Sequence, residues 1–305
     1  MIEIIFLGTS ASIPTKERGL PCIVVRRKGA LLMFDCGEGA QRSFLQMGLG
    51  INKPMMIFIS HLHGDHVLGI PGLLSTMNLL GREKELYIYG PKGLRDLLEG
   101  IFSVIQPEFN FKIYVNEVTD GIVFEGKEYV VKAKWGLHSI PNLMYSLEER
   151  SRPGRFYPER AIKLGVPKGP LWSKLQRGEK VKLDNGRIIY PEDVMGPPRP
   201  GIKITYSGDT APCEDMIKLA KGSDLLIHEA TYADKLRERA LKEGHSTARL
   251  AAIIALRAEV KELVLTHISA RYVGTSQILL KEASEVFPNT RIAYDSMKVI
   301  LRYHN

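Results

Sequence analysis

One stretch of the chain reads Ser60-His61-Leu62-His63-Gly64-Asp65-His66, after an apolar run that predicts a strand and before a pattern that predicts a helix. His61 and His63 are two residues apart, so they cannot share one face of a helix. On a turn at the end of a strand they can converge, and Gly64 permits tight backbone geometry there. Three imidazoles and a carboxylate at this spacing suit divalent metals that accept nitrogen and oxygen ligands. The stretch therefore predicts a metal site at the end of a strand.

Three more candidate ligands also follow predicted strands. His138 follows the strand predicted at 129–134, Asp209 follows 202–206, and His267 follows 262–265. Each of these residues alone is weak evidence for a metal site, and Asp209 is also consistent with a residue that caps a turn. Because all lie just past strand ends, we expect them to meet along one edge of the body. With the first stretch they supply more ligands than one structural zinc uses, which indicates a second metal.

The rest of the chain alternates short apolar runs with helix-like patterns, which predicts a layered α/β body. The predicted strands cover 2–7, 22–26, 30–34, 55–59, 85–89, 111–115, 129–134, 143–146, 202–206, 224–227, 262–265 and 291–293. The predicted helices cover 39–47, 67–80, 213–221, 233–243, 246–258 and 275–286. Hydroxyls in His245-Ser246-Thr247 are placed to cap the helix at 246–258.

Composition excludes several classes of protein. The 305 residues are 44% hydrophobic and 25% charged, which is ordinary for a globular chain and excludes general disorder. No apolar run approaches the roughly 20 residues that a spanning helix needs. Glu3 stands where a secretory signal carries a basic residue. The three cysteines are scattered, which argues against a disulfide scaffold. We expect a cytoplasmic protein with no membrane partner.

The net charge of +8 is concentrated in one segment. Residues 150–200 hold twelve Lys or Arg against five acids, and eight of the 17 prolines. Their apolar residues show no sustained helix or strand period. We interpret about 149–198 as an insertion projecting from the body, either a solvated loop or an arm that grips nucleic acid through its phosphates. Four aromatic residues lie among these cations and either stack on bases or riboses or pack the arm: Phe156, Tyr157, Trp172 and Tyr190.

The ligand motifs resemble those of the metallo-β-lactamase superfamily. His-Leu-His-Gly-Asp-His at 61–66 is followed by His138, by Ser-Gly-Asp-Thr at 207–210 and by Thr-His at 266–267. The resemblance implies an α/β fold, a four-layer αββα sandwich with its metal site on the strand edge. Here it would be a single domain over residues 1–305, interrupted by the basic arm.

Further motifs are similar to those of the ribonuclease Z family, the tRNA 3′-processing endonucleases of that superfamily. They run in register from Phe6 to Asp295 and comprise Phe6–Ser10, the substrate-end loop Pro14–Gly19, the arm motif Gly165–Trp172, the histidine motifs His228–Thr231 and His245–Thr247, and Ala293 to Asp295. One departure is Gly19, where the family has Asn; Lys16 and Arg18 of the loop remain.

The resemblance implies two zinc ions per subunit, at sites that also accept manganese or iron. The ligands implied for one ion are His61, His63 and His138; for the other, Asp65, His66 and His267, with Asp209 as the bridge. Asp65 would also orient the attacking water or accept its proton. His245 would be the general acid for the leaving 3′-oxygen, held and charged by Glu229. His228 lies in a predicted buried strand, and both a structural and a catalytic role stay open.

The implied function is removal of the 3′ trailer from precursor tRNA by a homodimer, leaving a tRNA 3′-hydroxyl and a 5′-phosphorylated trailer. The implied RNA-binding residues are Lys16, Arg18, Lys168, Trp172, Lys174 and Arg177. Because the superfamily's ligands also serve other hydrolyses, two alternatives stay open: a small-molecule thioester or lactone hydrolase, and a non-catalytic RNA-binding protein. The cleavage position relative to a CCA end and the physiological metal also stay open.

Overall fold

The computed structural model describes residues 1–303 of the chain. The strands are β1 (Ile2–Gly8), β2 (Cys22–Arg27), β3 (Ala30–Phe34), β4 (Met55–Phe58), β5 (Leu86–Gly90), β6 (Ile113–Glu117), β7 (Gly121–Glu125), β8 (Tyr129–Trp135), β9 (Leu143–Glu149), β10 (Val181–Lys182), β11 (Ile188–Ile189), β12 (Lys203–Tyr206), β13 (Leu225–Glu229), β14 (Leu263–Thr266), β15 (Thr290–Ile292) and β16 (Lys298–Leu301). The helices are α1 (Ala40–Gln46), α2 (Gly64–Val67), α3 (Gly69–Leu79), α4 (Leu94–Ile105), α5 (Pro158–Lys163), α6 (Pro170–Gln176), α7 (Pro191–Val194), α8 (Glu214–Ala220), α9 (Arg237–Lys242), α10 (Ala248–Arg257) and α11 (Gln277–Ser284). Two 3-10 turns cover Asp234–Leu236 and Ala270–Tyr272.

Two seven-stranded mixed sheets form the body. Their strand orders are β16-β1-β2-β3-β4-β5-β6 and β15-β14-β13-β12-β9-β8-β7. Strands β3 to β6 are parallel to one another, and so are β12 to β15. The carboxyl ends of parallel strands meet at one edge of a sheet, and this is where loops carry functional residues. The predicted metal ligands lie after β4, β8, β12 and β14, with Asp65 and His66 in the short helix α2 and the others in loops.

Both faces of each sheet are buried. Met33 of β3 packs outward among α1, α3 and α4, whereas its neighbour Phe34 points to the opposite face because side chains alternate along a strand. Phe34 and Phe58 contact Tyr145 of the second sheet, with ring centroids 6.0 and 5.6 Å apart. The outer face of the second sheet, including Leu226, packs against α8, α10 and α11. The layers are therefore helix, sheet, sheet and helix, and the predicted αββα sandwich is confirmed.

All twelve predicted strands are present, with their ends within three residues of the predicted ends. The helix predicted at 67–80 is present as α2 and α3, and the helix predicted at 233–243 begins with a 3-10 turn. The predicted cap is also confirmed, because the Thr247 hydroxyl accepts a hydrogen bond from the Leu250 amide at 3.2 Å. Outside the basic segment, the sequence pattern did not predict β7, β16 or α4. The two strands are edge strands with few buried residues, and α4 contains Gly100 and buries only Leu94 and Leu98.

Residues 149–202 form a second compact unit together with 127–129 and Tyr303. It contains α5, α6, α7 and the β10–β11 hairpin, none long enough to produce a sustained hydrophobic period. Pro158, Pro170 and Pro191 begin the three helices, a position where proline's fixed φ is favourable and its missing amide costs nothing. The unit has its own buried core of Ala161, Val166, Leu175, Val181, Leu183, Ile189 and Val194. The prediction of one domain with an inserted arm stays a prediction.

None of the helices in the described part of the chain has the length and apolar character that crossing a bilayer requires.

Candidate metal centre and active site

The structure brings the seven predicted ligands together at one edge of the sandwich. The ligand atoms of His61, His63 and His138 lie within 4.8 Å of one another, and so do those of Asp65, His66 and His267. Asp209 lies beside both groups. Its Oδ2 is 3.8 Å from His61 Nε2, 3.4 Å from His66 Nε2 and 3.2 Å from His267 Nε2. The seven side chains therefore converge, and their roles as metal ligands and bridge stay predictions.

Local backbone geometry aims these side chains. At Gly208 the chain takes φ +55, and a Cβ there would lie 2.4 Å from Asn142 Oδ1, so only glycine fits before Asp209. His267 itself has φ +57, which is unusual for a residue other than glycine. Such strain persists where the surrounding structure holds it, and it is common at functional sites.

Four histidines have the ring nitrogen that faces away from the centre bonded to a protein acceptor. His61 Nδ1 lies 2.9 Å from Ser60 Oγ, His66 Nδ1 is 2.7 Å from Asp35 Oδ2, His138 Nδ1 is 2.8 Å from the Gly244 carbonyl, and His267 Nδ1 is 2.8 Å from Thr231 Oγ1. The two hydroxyls already donate to Asp35 and Glu229, so they accept from the imidazoles. Each of the four rings therefore donates from Nδ1 and turns Nε2 toward the centre. A protein acceptor on the far side of the ring is typical of metal-binding histidines.

The donor atoms at the centre fit divalent cations. His63 Nδ1 lies 3.0 Å from His61 Nε2 and 3.1 Å from His138 Nε2, so lone pairs of nitrogen converge. Asp209 Oδ1 is buried and has no hydrogen-bond partner among residues 1–303. An unpaired buried carboxylate oxygen is costly, and a bound cation would compensate it. Imidazole nitrogen with carboxylate oxygen suits zinc, manganese and iron.

Asp35 is a site residue that the sequence analysis missed. It is fully buried at φ +56, and it accepts hydrogen bonds from the Ser60 amide and hydroxyl, from His66 Nδ1 and from the Tyr206 hydroxyl, all at 2.7 or 2.8 Å. Burial opposes the charged imidazolium of His66, but the carboxylates of Asp209 and Asp35 raise its pKa well above the usual value. The signal was present in the sequence, because Asp35 directly follows β3 as the other site residues follow their strands.

His245 and Glu229 form a hydrogen-bonded pair beside the metal centre. His245 Nδ1 lies 2.9 Å from Glu229 Oε1, and the buried carboxylate also accepts from the Thr210 amide and the Thr231 hydroxyl. Burial disfavours the charged form of His245, but the Glu229 carboxylate outweighs it and raises the pKa of His245 to about 9. The pair therefore favours a protonated imidazole at neutral pH. Glu229 engages Nδ1, so the other proton is on Nε2.

His138 and His245 are joined through Gly244. The Gly244 carbonyl accepts the hydrogen bond from His138, and the next residue in the chain is His245. At Gly244, φ is +73, and a Cβ would lie 2.9 Å from the His138 Cα. Only glycine therefore permits this close approach.

The sequence left the role of His228 open. This residue lies in β13 and is fully buried. Its Nδ1 donates to the Glu229 carbonyl at 2.8 Å, and its Nε2 has no partner within the described chain. Burial lowers the pKa of His228. A neutral, buried imidazole that contacts no candidate ligand favours a structural role.

The loop at 14–19 and the Ala293–Asp295 segment are hydrogen-bonded to each other. Arg18 Nη1 donates to Thr9 Oγ1 at 2.7 Å and to the Ala293 carbonyl at 2.6 Å, and the Gly19 amide donates to Asp295 Oδ2 at 2.6 Å. Lys16 is exposed, and the loop lines a cavity of about 460 Å³. Arg18 therefore fixes the loop, and Lys16 is its exposed cation.

The predicted arm residues differ in exposure. Lys168, Lys174 and Arg177 are exposed, and Arg177 pairs with Glu179 at 3.0 Å. Trp172 instead packs on Phe156, with ring centroids 5.2 Å apart, and its Nε1 donates to the Val166 carbonyl. These contacts favour packing for Trp172 and leave the cations accessible.

Two family models match parts of the chain, and several known proteins match its full length. A model described as a beta-lactamase superfamily domain matches residues 194–268, and a model for the anti-Pycsar protein Apyc1 matches residues 2–103. Ribonuclease Z of Methanosarcina acetivorans is 45% identical over 99% of both chains, and ribonuclease Z of Methanothermobacter thermautotrophicus is 47% identical over 100% of this chain and 98% of that one. The crystal structure of human tRNase Z, short form, is similar with a TM-score of 0.73 and 30% identity, over 98% of this chain and 99% of that one. The chain therefore belongs to the ribonuclease Z family of the metallo-β-lactamase superfamily.

Proposed function

We propose that this chain is a metal-dependent endoribonuclease that removes the 3′ trailer from precursor tRNA. Its products are a tRNA with a 3′-hydroxyl and a trailer with a 5′-phosphate. Family membership supports the reaction class and the substrate. The observation that carries the proposal is the convergence of six other candidate ligands around Asp209, directly beside the His245–Glu229 pair.

The metal centre holds two ions in this proposal, and zinc is the proposed metal. His61, His63 and His138 would hold one ion, and Asp65, His66 and His267 would hold the other, with Asp209 as a proposed ligand to both. When bound, such a pair of ions polarises a phosphate and acidifies a water molecule. The Nε2 atoms of the four rings, which face the centre, and Asp209 Oδ1, which has no partner within the described chain, support this assignment.

Asp65 is proposed to orient the attacking water and accept its proton. Its side chain is 11% exposed, whereas that of Asp209 is only 3% exposed, so Asp65 is the more accessible carboxylate of the centre. Burial would favour its protonated form, but the neighbouring imidazoles of His267 and His66 lower the pKa of Asp65. It is therefore ionised and able to accept a proton at neutral pH.

His245 is proposed to protonate the leaving group. Attack on phosphorus breaks the bond to the 3′-oxygen of the upstream nucleotide, and that oxygen takes a proton from His245 Nε2. Glu229 keeps the imidazole charged and fixes its orientation. General acid catalysis of this kind contributes about 10²–10⁴-fold to the rate.

The basic segment is proposed to bind tRNA through its phosphates. Exposed Lys168, Lys174 and Arg177 provide charge, and the core against which Phe156 and Trp172 pack supports them. Clustered cations bind nucleic acid by displacing counterions, so this binding weakens as salt increases. Lys16 in the loop at 14–19 is the proposed contact for the tRNA end. We propose that the enzyme acts as a homodimer in the cytoplasm.

Cleavage of an end-labelled precursor tRNA tests this function. We expect one cut at or beside the discriminator base, lost on chelation and restored by zinc. Asp65→Ala and His245→Ala should each abolish most cleavage while tRNA binding is retained. Asp96→Asn, an exposed carboxylate on α4, is the matched control and should cleave normally.

Two results would contradict the proposal. Binding of tRNA without cleavage under every metal tried would leave only an RNA-binding protein. Turnover of thioesters or lactones with little dependence on salt, and none of precursor tRNA, would indicate a small-molecule hydrolase.

A further inference from the structure

Tyr232 forms a rigid aromatic surface next to the proposed acid. It directly follows the His228–Thr231 motif, it is 5% exposed, and its hydroxyl donates to Glu243. Its ring centroid lies 6.1 Å from that of His245. A cation placed on this ring is therefore separated from the proposed acid by no more than one aromatic ring.

Two arginines lie over the Tyr232 ring, and they differ in their partners. Arg239 Cζ is 5.7 Å from the ring centroid, and its Nε is bonded to Glu243 Oε1 at 2.9 Å. Arg271 Cζ is nearer, at 4.9 Å, and its Nε donates to Ser269 Oγ at 3.1 Å. Between Met1 and Tyr303 no carboxylate lies within ion-pair distance of Arg271, and its two terminal nitrogens donate no hydrogen bond. Arg239 is therefore neutralised, and Arg271 is not.

The backbone around Arg271 is fixed on both sides. Arg271 lies on the 3-10 turn Ala270–Tyr272, four residues after the candidate ligand His267. Before the turn, the Ile268 amide donates to the Thr9 carbonyl at 2.9 Å. Within it, the buried Tyr272 hydroxyl accepts from the Ala233 amide at 2.8 Å. The guanidinium is thus held in place before any substrate arrives, which lowers the entropic cost of binding.

We propose that Arg271 binds a backbone phosphate of the RNA, that of a nucleotide flanking the scissile linkage. The proposal rests on the proposed function. A guanidinium with both terminal nitrogens unengaged matches two oxygens of a phosphodiester. The Tyr232 ring stabilises the cation through its π face without occupying these donors. Arg271 would thereby hold the substrate in register while His245 meets the leaving oxygen.

Single-phosphate substitution tests this contact. A set of precursor tRNAs, each with one uncharged methylphosphonate near the cleavage site, would be cleaved by the wild type and by Arg271→Ala. We expect Arg271→Ala to lower kcat/KM on the unmodified substrate by about 10–100-fold, the range for losing hydrogen bonds between charged groups. One methylphosphonate position should lower wild-type cleavage by a similar factor and should have no further effect on Arg271→Ala.

Three controls keep the result specific. Arg271→Lys keeps the charge but not the paired donors, and should fall between the wild type and Arg271→Ala. Arg257→Ala removes an exposed arginine that pairs with Glu214 on the surface, and should cleave like the wild type. Hydrolysis of bis(p-nitrophenyl) phosphate, which has no neighbouring phosphate, should be unchanged in Arg271→Ala and so report an intact centre.

The outcomes separate this inference from the proposed function. Equal losses on RNA and on the small diester, or a loss no larger than that of Arg257→Ala, would overturn the role of Arg271 alone. The role of Arg271 would also be overturned if Arg271→Ala and every methylphosphonate lowered kcat/KM by independent factors that multiply. A wild-type enzyme that leaves precursor tRNA intact would overturn both proposals.

Discussion

At the scale of single residues, the centre is defined as much by the partners of the ligands as by the ligands. The His61–His66 motif is local in sequence, so its spacing was sufficient to predict ligands. The partners are distant in sequence: Asp35 lies 31 residues from His66, and Gly244 lies 106 residues from His138. No local period links such pairs. The sequence therefore predicted which residues converge, but not what holds their rings in place.

Asp35→Asn should weaken metal binding. The variant keeps the shape of the side chain but offers one acceptor oxygen in place of two to His66, Ser60 and Tyr206. Loss of such a partner typically costs about 10–100-fold in metal affinity. Competition with a chromophoric chelator would measure it, with Asp96→Asn as the exposed control. Unchanged affinity would contradict the role assigned to Asp35.

His228→Leu should be tolerated. The change removes an imidazole whose buried Nε2 has no partner within the described chain, but it also removes the hydrogen bond from Nδ1 to the Glu229 carbonyl. The relief of the unpaired nitrogen offsets the lost hydrogen bond, so the free energy of unfolding should change by no more than about 1 kcal/mol. We expect the midpoint of thermal unfolding and kcat on precursor tRNA to stay close to those of the wild type. A selective fall in kcat without loss of stability would instead assign His228 to catalysis.

At the scale of elements, every central strand of the two large sheets was predicted, and the two strands missed there, β7 and β16, each lie at an edge of their sheet. Strands such as β1 and β3 are buried on both faces and read as continuous apolar runs. Edge strand β7 has no fully buried residue, so its pattern is weak. In the basic segment, helices of four to seven residues begin at prolines and never complete enough turns to establish a period. Because charged residues dominate its composition, the sequence did not predict the small buried core of this unit.

Leu175→Ala should unfold or loosen the basic unit selectively. Leu175 is fully buried in that core, and such truncations cost about 2–5 kcal/mol. We expect KM for precursor tRNA to rise, while hydrolysis of a small phosphodiester is retained. Ile162→Ala, at a 66% exposed position of the same unit, is the control and should leave both unchanged. An equal loss on both substrates would show that the unit also supports the metal centre.

At the scale of the whole molecule, the proposed ions would connect the two sheets. His61, His63, Asp65 and His66 follow β4 of the first sheet, whereas His138, Asp209 and His267 follow strands of the second. Each ligand set takes members from both sheets. Bound metal is therefore expected to fasten one half of the sandwich to the other.

Removing the metal should lower stability as well as activity. A ligand at 100 times its Kd that binds only the folded state stabilises it by about 2.7 kcal/mol. We expect chelation to lower the midpoint of thermal unfolding and zinc to restore it. In an Asp209→Ala variant, which lacks the bridging carboxylate, the shift should shrink. Equal midpoints with and without metal would argue against ions that link the sheets.

The close approach at Gly244 has a consequence for how this enzyme can change. The same backbone unit supports a proposed metal ligand and precedes the proposed acid, and it leaves no space for a side chain. An insertion or deletion between α9 and α10 would therefore disturb both at once, and repairing one would not repair the other. Attempts to redesign this enzyme for a new leaving group should keep the α9–α10 connection intact and vary residues outside it.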